Sequence, residues 1–369
     1  MLFLRAATLT EIVVSAVSGA ALAWCFRRPV AQPYAMVMIW LAWWGTGAFL
    51  TALTGIYLNP GNRRVRLRLL RDMALGPAAA LVGALLVART VIWRPVTLDY
   101  YLYAFDGSLG FQPSFALSAL LQRHDWLRTL CEIAYLNLPL SMLAAYLLAG
   151  WADPALASQA IRLFLAIAAV GYVLYCVFPA AGPVFVFGAD FPLHPPSLAS
   201  IPLVPVRVES GPRNCMPSLH TSWCLAILWS ARSLPKVHKA MLASLVGLTL
   251  IFTLTSAHYF ADMVAAIPFT LAMWALTEKR LPWSHSARIP ALTAGTLTFA
   301  AWLILLRFGT AFFLISPAIG WTACALTCGL CWYVPCPGLP KRALLVAVEE
   351  EGSSLDPTPG MGPDCVPNP

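Results

Sequence analysis

Charge is scarce in this chain. Only 11% of its 369 residues are Asp, Glu, Lys or Arg, against roughly 25% in a soluble protein, while 59% are apolar. So few charges do not cover a soluble surface of this length, and lipid is the solvent that suits such a composition. The same figures exclude intrinsic disorder, a collagen-like chain and a secreted disulfide scaffold. The net charge of +8 comes from 24 basic and 16 acidic residues; membrane topology accounts for it, and no nucleic-acid partner is expected. Metal-ligand company is also missing. Cys324, Cys328 and Cys331 have no His or carboxylate beside them, so they read with Cys25, Cys131, Cys176 and Cys224 as small hydrophobes. No metal and no cofactor are expected. Nor is a cleavable leader, because Arg27 and Arg28 follow the apolar residues 8–26 where a small-residue cleavage site would stand.

What is present in quantity is apolar runs long enough to span a bilayer, which takes roughly 20 residues. They fall at residues 8–26, 34–58, 73–93, 127–150, 160–178, 218–234, 240–257, 258–277, 290–306 and 311–333. The expected fold is therefore all-α, a polytopic membrane helix bundle of about ten transmembrane helices. Residues 240–277 as one straight helix would run about 57 Å, nearly twice the hydrocarbon thickness. The chain must turn back there, and the ionisable His258 and Asp262 mark the turn.

Basic residues orient the bundle. Arg63, Arg64, Arg66, Arg68 and Arg71 form the densest cluster. If that loop is cytoplasmic, Arg162, Arg232, Lys236, Lys239, Lys279, Arg280, Arg288, Lys341 and Arg342 fall on the same side, as the positive-inside rule asks. Arg27 and Arg28 are the exception. Both termini come out cytoplasmic; the loops 94–126 and 179–217 and the turn at His258 come out opposite. The first of these loops carries the aromatic, acidic stretch 99–110 and an apolar segment, 115–121, suited to the membrane interface. The second holds Pro179, Pro183, Pro192, Pro195 and Pro196 and should be extended and stiff. The tail 335–369, proline-rich with Glu349, Glu350 and Glu351, reads as disordered.

Two motifs carry chemistry. Arg213 precedes Pro217-Ser218-Leu219-His220-Thr221, which opens one span, and His258-Tyr259-Phe260-Ala261-Asp262 stands at the next outer turn. One inward and one outward span separate His220 from His258, so both return to the same face. Ionisable groups at membrane depth are costly and commonly functional. His258 and Asp262 are four apart and share a helix face, so the carboxylate can accept a hydrogen bond from one ring nitrogen and leave the other as a nucleophile. Ser218 and the N–H groups of Leu219, His220 and Thr221 would form an anion site at a helix N-terminus, with Arg213 adding charge. Together these parts suit phosphoryl transfer. A lone histidine at a helix end is often merely interfacial; two motifs on one face with the Asp at the fourth position make that reading the weaker one. The two rings are expected within roughly 8 Å, close enough to flank one phosphate, at the base of a shallow cavity open to the outer leaflet.

The same residues resemble a known family. Pro217-Ser218-Leu219-His220 followed by His258-Tyr259-x-x-Asp262 is similar to the type-2 phosphatidic acid phosphatase superfamily, and most similar to its inositol phosphorylceramide synthase branch, with sphingomyelin synthases more distant. Phe178-Pro179-Ala180-Ala181-Gly182-Pro183 and Asp106-Gly107-x-Leu109-Gly110 also resemble that branch. The likeness covers about residues 73–277. It implies a core of six helices with the site at the non-cytoplasmic face. It also implies His258 as the nucleophile that becomes a phosphohistidine, Asp262 as its orienting carboxylate and His220 as the acid for the leaving group. Arg213, Ser218, Leu219, Thr221 and Tyr259 match positions around the substrate. The chain departs from the lipid phosphatases: their full upstream Lys/Arg-Pro motif is not recognisable around its Arg-Pro pairs, no cation stands in the stretch 251–257, and Leu219 takes the place of glycine. Those departures favour the transferase branch and leave Arg213, then Arg207 or Arg128, as the cation for the phosphate.

The expected organisation is two N-terminal spans and a basic loop (1–72), a catalytic membrane core (73–280), two C-terminal spans (281–334) and the tail (335–369). The leading functional reading is a lipid phosphotransferase that moves a phospho-headgroup between outer-leaflet lipids. A lipid phosphatase using water on the same residues is the alternative. A non-enzymatic transporter or scaffold would need a polar path through the bilayer, and intramembrane ionisable residues such as Glu132 do not pair into one.

Overall fold

The computed structural model describes Arg71, Leu75, Ala79, Gly83 and residues 85–333 except Asp153. The expected spans 8–26 and 34–58, most of 73–93, the basic cluster 63–68 and the tail lie outside the described residues. Helix α1 covers residues 85–93. It is followed by β1 (Val96–Thr97), α2 (Asp99–Ser108), α3 (Pro113–Gln122), α4 (Asp125–Leu136), α5 (Leu138–Ala152), α6 (Pro154–Val177) and α7 (Pro183–Phe187). Then come β2 (Val206–Arg207), α8 (Leu219–Ser230), α9 (Lys236–Ser256), α10 (Phe260–Thr277), α11 (Arg288–Phe308), α12 (Thr310–Phe313) and α13 (Pro317–Tyr333).

Among the described residues, four helices are long and apolar enough to cross a membrane: α6, α9, α10 and α11. This is the architecture of an integral membrane helix bundle. The expected span 127–150 is instead two helices, α4 and α5, bent by 57°. The cause is local. Pro139 has no N–H to give the carbonyl four residues back, so α4 cannot continue through it. Asn137 closes the end of α4, its side-chain amide donating to Ile133 O at 2.8 Å. The expected span 311–333 is also broken, and Pro317 starts α13 afresh.

The core sits around α10. This helix is buried over 72% of its length, which an ordinary amphipathic helix would not tolerate. Small side chains at Ala261, Ala265, Ala266, Ala272 and Ala275, each at most 3% exposed, let its neighbours approach on several sides. The closest approach is to α11, where a Cβ added at Gly295 would lie 2.6 Å from Ala272 N and 2.7 Å from Pro268 O.

The turn expected near His258 is there: α9 ends at Ser256 and α10 begins at Phe260. The stretch 99–110 differs from the loop expected of it. It forms α2, whose Leu102, Tyr103 and Phe105 are fully buried. The segment 115–121 lies within α3. The proline-rich loop carries α7 and strand β2, which pairs antiparallel with β1 through Val96 opposite Arg207 and Thr97 opposite Val206. That two-residue ladder is the one departure from an all-α fold among the described residues.

Candidate active site

His220 lies in the first turn of α8. Ser218 caps this helix: its hydroxyl accepts from Thr221 N at 3.3 Å and pairs with Thr221 Oγ1 at 3.0 Å. Ser218 N in turn donates to Asp262 O at 3.3 Å. The start of α8 is thereby tied directly to the first turn of α10, and this bond brings the two sequence motifs together.

His258 sits in the turn just before α10. Its Nδ1 is 3.0 Å from Asp262 Oδ1, and the other oxygen of Asp262 accepts from Tyr259 N at 2.8 Å. One carboxylate therefore caps the helix and orients the ring. His258 Nε2 has no hydrogen-bond partner, although the ring is only 1% exposed. The His220 and His258 ring centroids are 5.8 Å apart and steeply inclined, at 71°, inside the separation expected from the sequence. His220 is the more open of the two. Its outer face stacks on Tyr135 of α4, with centroids 4.4 Å apart and planes 20° from parallel, and Trp223 meets it edge-on at 6.0 Å.

The remaining sequence candidates are placed differently. Leu219 and Tyr259 turn their side chains into the core, 2% and 0% exposed. Leu219 fills the space left by Gly171 of α6, where an added Cβ would meet it at 2.3 Å. Ser218 and Thr221 are buried and bonded to each other. What this helix end offers a ligand is the N–H groups of Leu219 and His220, which at the first helical positions have no intrahelical acceptor.

Arg213 is placed differently from the expectation. It was expected to supply charge to a phosphate, but it is fully buried and its guanidinium is bonded to backbone carbonyls. Nε donates to Arg94 O at 2.8 Å, one terminal nitrogen to Ser210 O and Gly211 O at 3.0 and 2.6 Å, and the other to Val208 O. The fork matches a folded loop, not a ligand. Burial pulls its pKa below the ordinary arginine value, opposed by the charges of Asp99 and Glu209. The substitutes fare no better: Arg207 is exposed and paired with Glu209 at 2.8 Å, and Arg128 is exposed on α4.

Sequence reasoning gave no role to Asp99, Asp106, Tyr135 or Cys215. Asp106 of α2 accepts from Phe260 N at 2.7 Å and Ala261 N at 2.9 Å, at the head of α10. Asp99, two turns earlier, accepts from Ala181 N and Gly182 N at 2.9 and 2.7 Å. Two acids seven apart, on one helical face among aromatics, were the available signal. Cys215 Sγ donates to Ala257 O at 2.8 Å. Donor atoms of Cys215, His258 and Asp262 lie within 4.8 Å of one another, the one metal-capable group found among the described residues. Each is already occupied by the hydrogen bonds just described, apart from His258 Nε2.

Two cavities flank α3. One of about 540 Å³ runs between Gly107–Gln112 and Pro192–Leu198, and an apolar one of about 360 Å³ is bordered by Phe111, Leu254, Phe260 and Trp321. Neither is lined by a histidine of the pair, so the cavity expected beneath them is not one of these two.

A family model described as the PAP2 superfamily matches residues 100–276, from α2 to the end of α10. The matched stretch contains both histidines, Asp262, Asp106 and Arg213. It is thus similar to a superfamily of phosphatases and phosphotransferases that act on lipid-like phosphates. No curated protein and no solved structure matches the chain.

Proposed function

We propose that the chain is a membrane lipid phosphotransferase. It moves a phospho-headgroup, such as phosphoinositol, from a glycerophospholipid to a lipid or polyol acceptor through a phosphohistidine at His258. The observation that carries this is one nitrogen of His258 held by Asp262 and the other bare, with a second imidazole 5.8 Å away.

The steps follow from these positions. The His258 Nε2 lone pair attacks phosphorus, a P–N bond forms and the P–O bond to the diacylglycerol breaks. His220 gives its proton to the departing alkoxide, while Asp262 stabilises the cation that forms on the His258 ring. In the second half the acceptor hydroxyl gives its proton to His220 as its oxygen attacks phosphorus and the P–N bond breaks. The N–H groups of Leu219 and His220 are the donors for the phosphoryl oxygens. General acid catalysis of this kind contributes about 10²–10⁴-fold.

Two features favour a diester donor over a monoester phosphatase substrate. Arg213, the cation expected at the phosphate, is bonded to loop carbonyls, and the groups around the turn are the carboxyls Asp99, Asp106 and Asp262, which add no positive charge. A phosphodiester brings one negative charge to such surroundings and a monoester nearly two. The ring of His258 is also almost fully buried, so the phosphoryl group would be transferred in apolar surroundings. By the basic-residue bias, the site faces the non-cytoplasmic side and both termini the cytoplasm, so its substrates are outer-leaflet lipids.

The test is purified protein in proteoliposomes with headgroup-labelled phosphatidylinositol, with and without an acceptor lipid. Transfer of label to the acceptor supports the reading. Release of soluble phosphoinositol at the same rate whether or not an acceptor is present supports a hydrolase.

A further inference from the structure

Helix α2 reaches the nucleophile turn without touching the histidine. Its two carboxylates, Asp99 and Asp106, are both fully buried. Seven residues is close to two helical turns, so they lie on one face. Each spends both oxygens on backbone N–H groups. Asp106 takes Phe260 N and Ala261 N, which lie immediately beyond the His258 turn. Asp99 takes Ala181 N and Gly182 N. Gly182 has φ +97° and lies against the turn from the other side: an added Cβ would be 2.0 Å from Ala257 O. One face of α2 therefore holds the head of α10 directly through Asp106, and through Asp99 it holds the 181–182 segment that packs against Ala257.

The grip continues into the site. Phe260 and Ala261 are the first residues of α10, and the next residue is Asp262, which holds His258 Nδ1 and Tyr259 N. The chain of contacts is Asp106 to the α10 head, the head to Asp262, and Asp262 to the ring. A shift at the α10 head moves the carboxylate that aims Nε2, and a misplacement of about 1 Å at a reacting group can cost about 10²-fold.

On the basis of the proposed transferase reading, we infer that Asp106 is a positioning residue for the His258 nucleophile, acting through the head of α10. It is distinct from a helix cap that only stabilises the fold. The conservative variant Asp106→Asn keeps the shape, but its amide faces a backbone N–H with a donor and loses one of the two bonds. In the folded protein kcat should fall about 10- to 100-fold with KM for the donor lipid within about threefold. In an Asp262→Asn background the same substitution should add little, because both act on the same ring.

The experiment measures headgroup transfer by full-length protein in proteoliposomes for wild type, D106N, D262N and the double variant, with the thermal unfolding midpoint of each. D106E, which keeps the carboxyl group and both acceptors on a longer arm, is the second variant if D106N does not fold. A low kcat at unchanged KM, with non-additivity against D262N, supports the inference. Wild-type kcat per folded molecule, losses that multiply independently, or failure of both variants to fold would each overturn it and leave Asp106 a structural cap. No transfer by wild type would instead strike the proposed function itself.

Discussion

At the residue scale the two histidines should fail in different ways. His258→Ala should abolish turnover, and His258→Gln should not rescue it, because an amide forms no phosphoenzyme. More than a few per cent of the wild-type rate in either variant would move the chemistry elsewhere. His220→Ala should lose about 10²–10⁴-fold on a natural lipid and far less on an activated nitrophenyl phosphodiester, whose leaving group needs no proton. Equal losses on both substrates would make His220 a phosphate binder only. Arg213 gives a contrasting expectation. Removing a buried guanidinium that serves the carbonyls of Arg94, Val208, Ser210 and Gly211 should cost about 3 kcal/mol or more. Arg213→Lys should not restore it, since an ammonium lacks the planar fork. The readout is a lowered unfolding midpoint for both variants. A normal midpoint with a raised donor KM would return Arg213 to the phosphate.

At the scale of elements, the site was more legible in the sequence than the scaffold around it. The reversal at His258 followed from length alone, since no bilayer accommodates residues 240–277 as one span. His258 and Asp262 do not share a helix face as expected, because α10 begins at Phe260; their bond forms because Asp262, in the first turn of α10, reaches back over the turn to the ring and to Tyr259 N. Helix α2 was hidden because a window containing Asp99 and Asp106 reads as exposed loop; only tertiary contacts reveal that both acids are satisfied by backbone from residues 181–182 and 260–261. The α4–α5 bend was missed because hydropathy runs on through Asn137 and Pro139. The bonding of Arg213 was hidden for a related reason: charge near a motif suggests a ligand, and carbonyls gathered by a folded loop leave no sequence trace. Gly182 tests how tightly the turn is held. Gly182→Ala combines a left-handed φ with a Cβ 2.0 Å from Ala257 O. It should displace the turn and reduce transfer at least about tenfold while helical content by circular dichroism stays near wild type. Full activity would show that the turn tolerates movement.

At the scale of the whole molecule, the bundle exists to bring two helix beginnings, α8 and α10, to one level. The Ser218 N–H to Asp262 carbonyl bond fixes that meeting, and the buried small-residue faces of α10 hold it in place. Sidedness is a separate question that labelling answers. Cysteine placed at Ser197 should react with an impermeant reagent from the non-cytoplasmic side, and cysteine at Asn62 only from the cytoplasmic side. The reverse pattern would put the site in the cytoplasm. The most direct measurement of the chemistry is to trap the intermediate. Wild-type protein is mixed with a donor lipid labelled in its phospho-headgroup, quenched without acid, digested and read by mass spectrometry. The label should sit on His258, be absent from H258Q, and pass to the acceptor lipid when one is supplied. Turnover with the label on another residue, or undiminished turnover by H258Q, would contradict a phosphohistidine at His258.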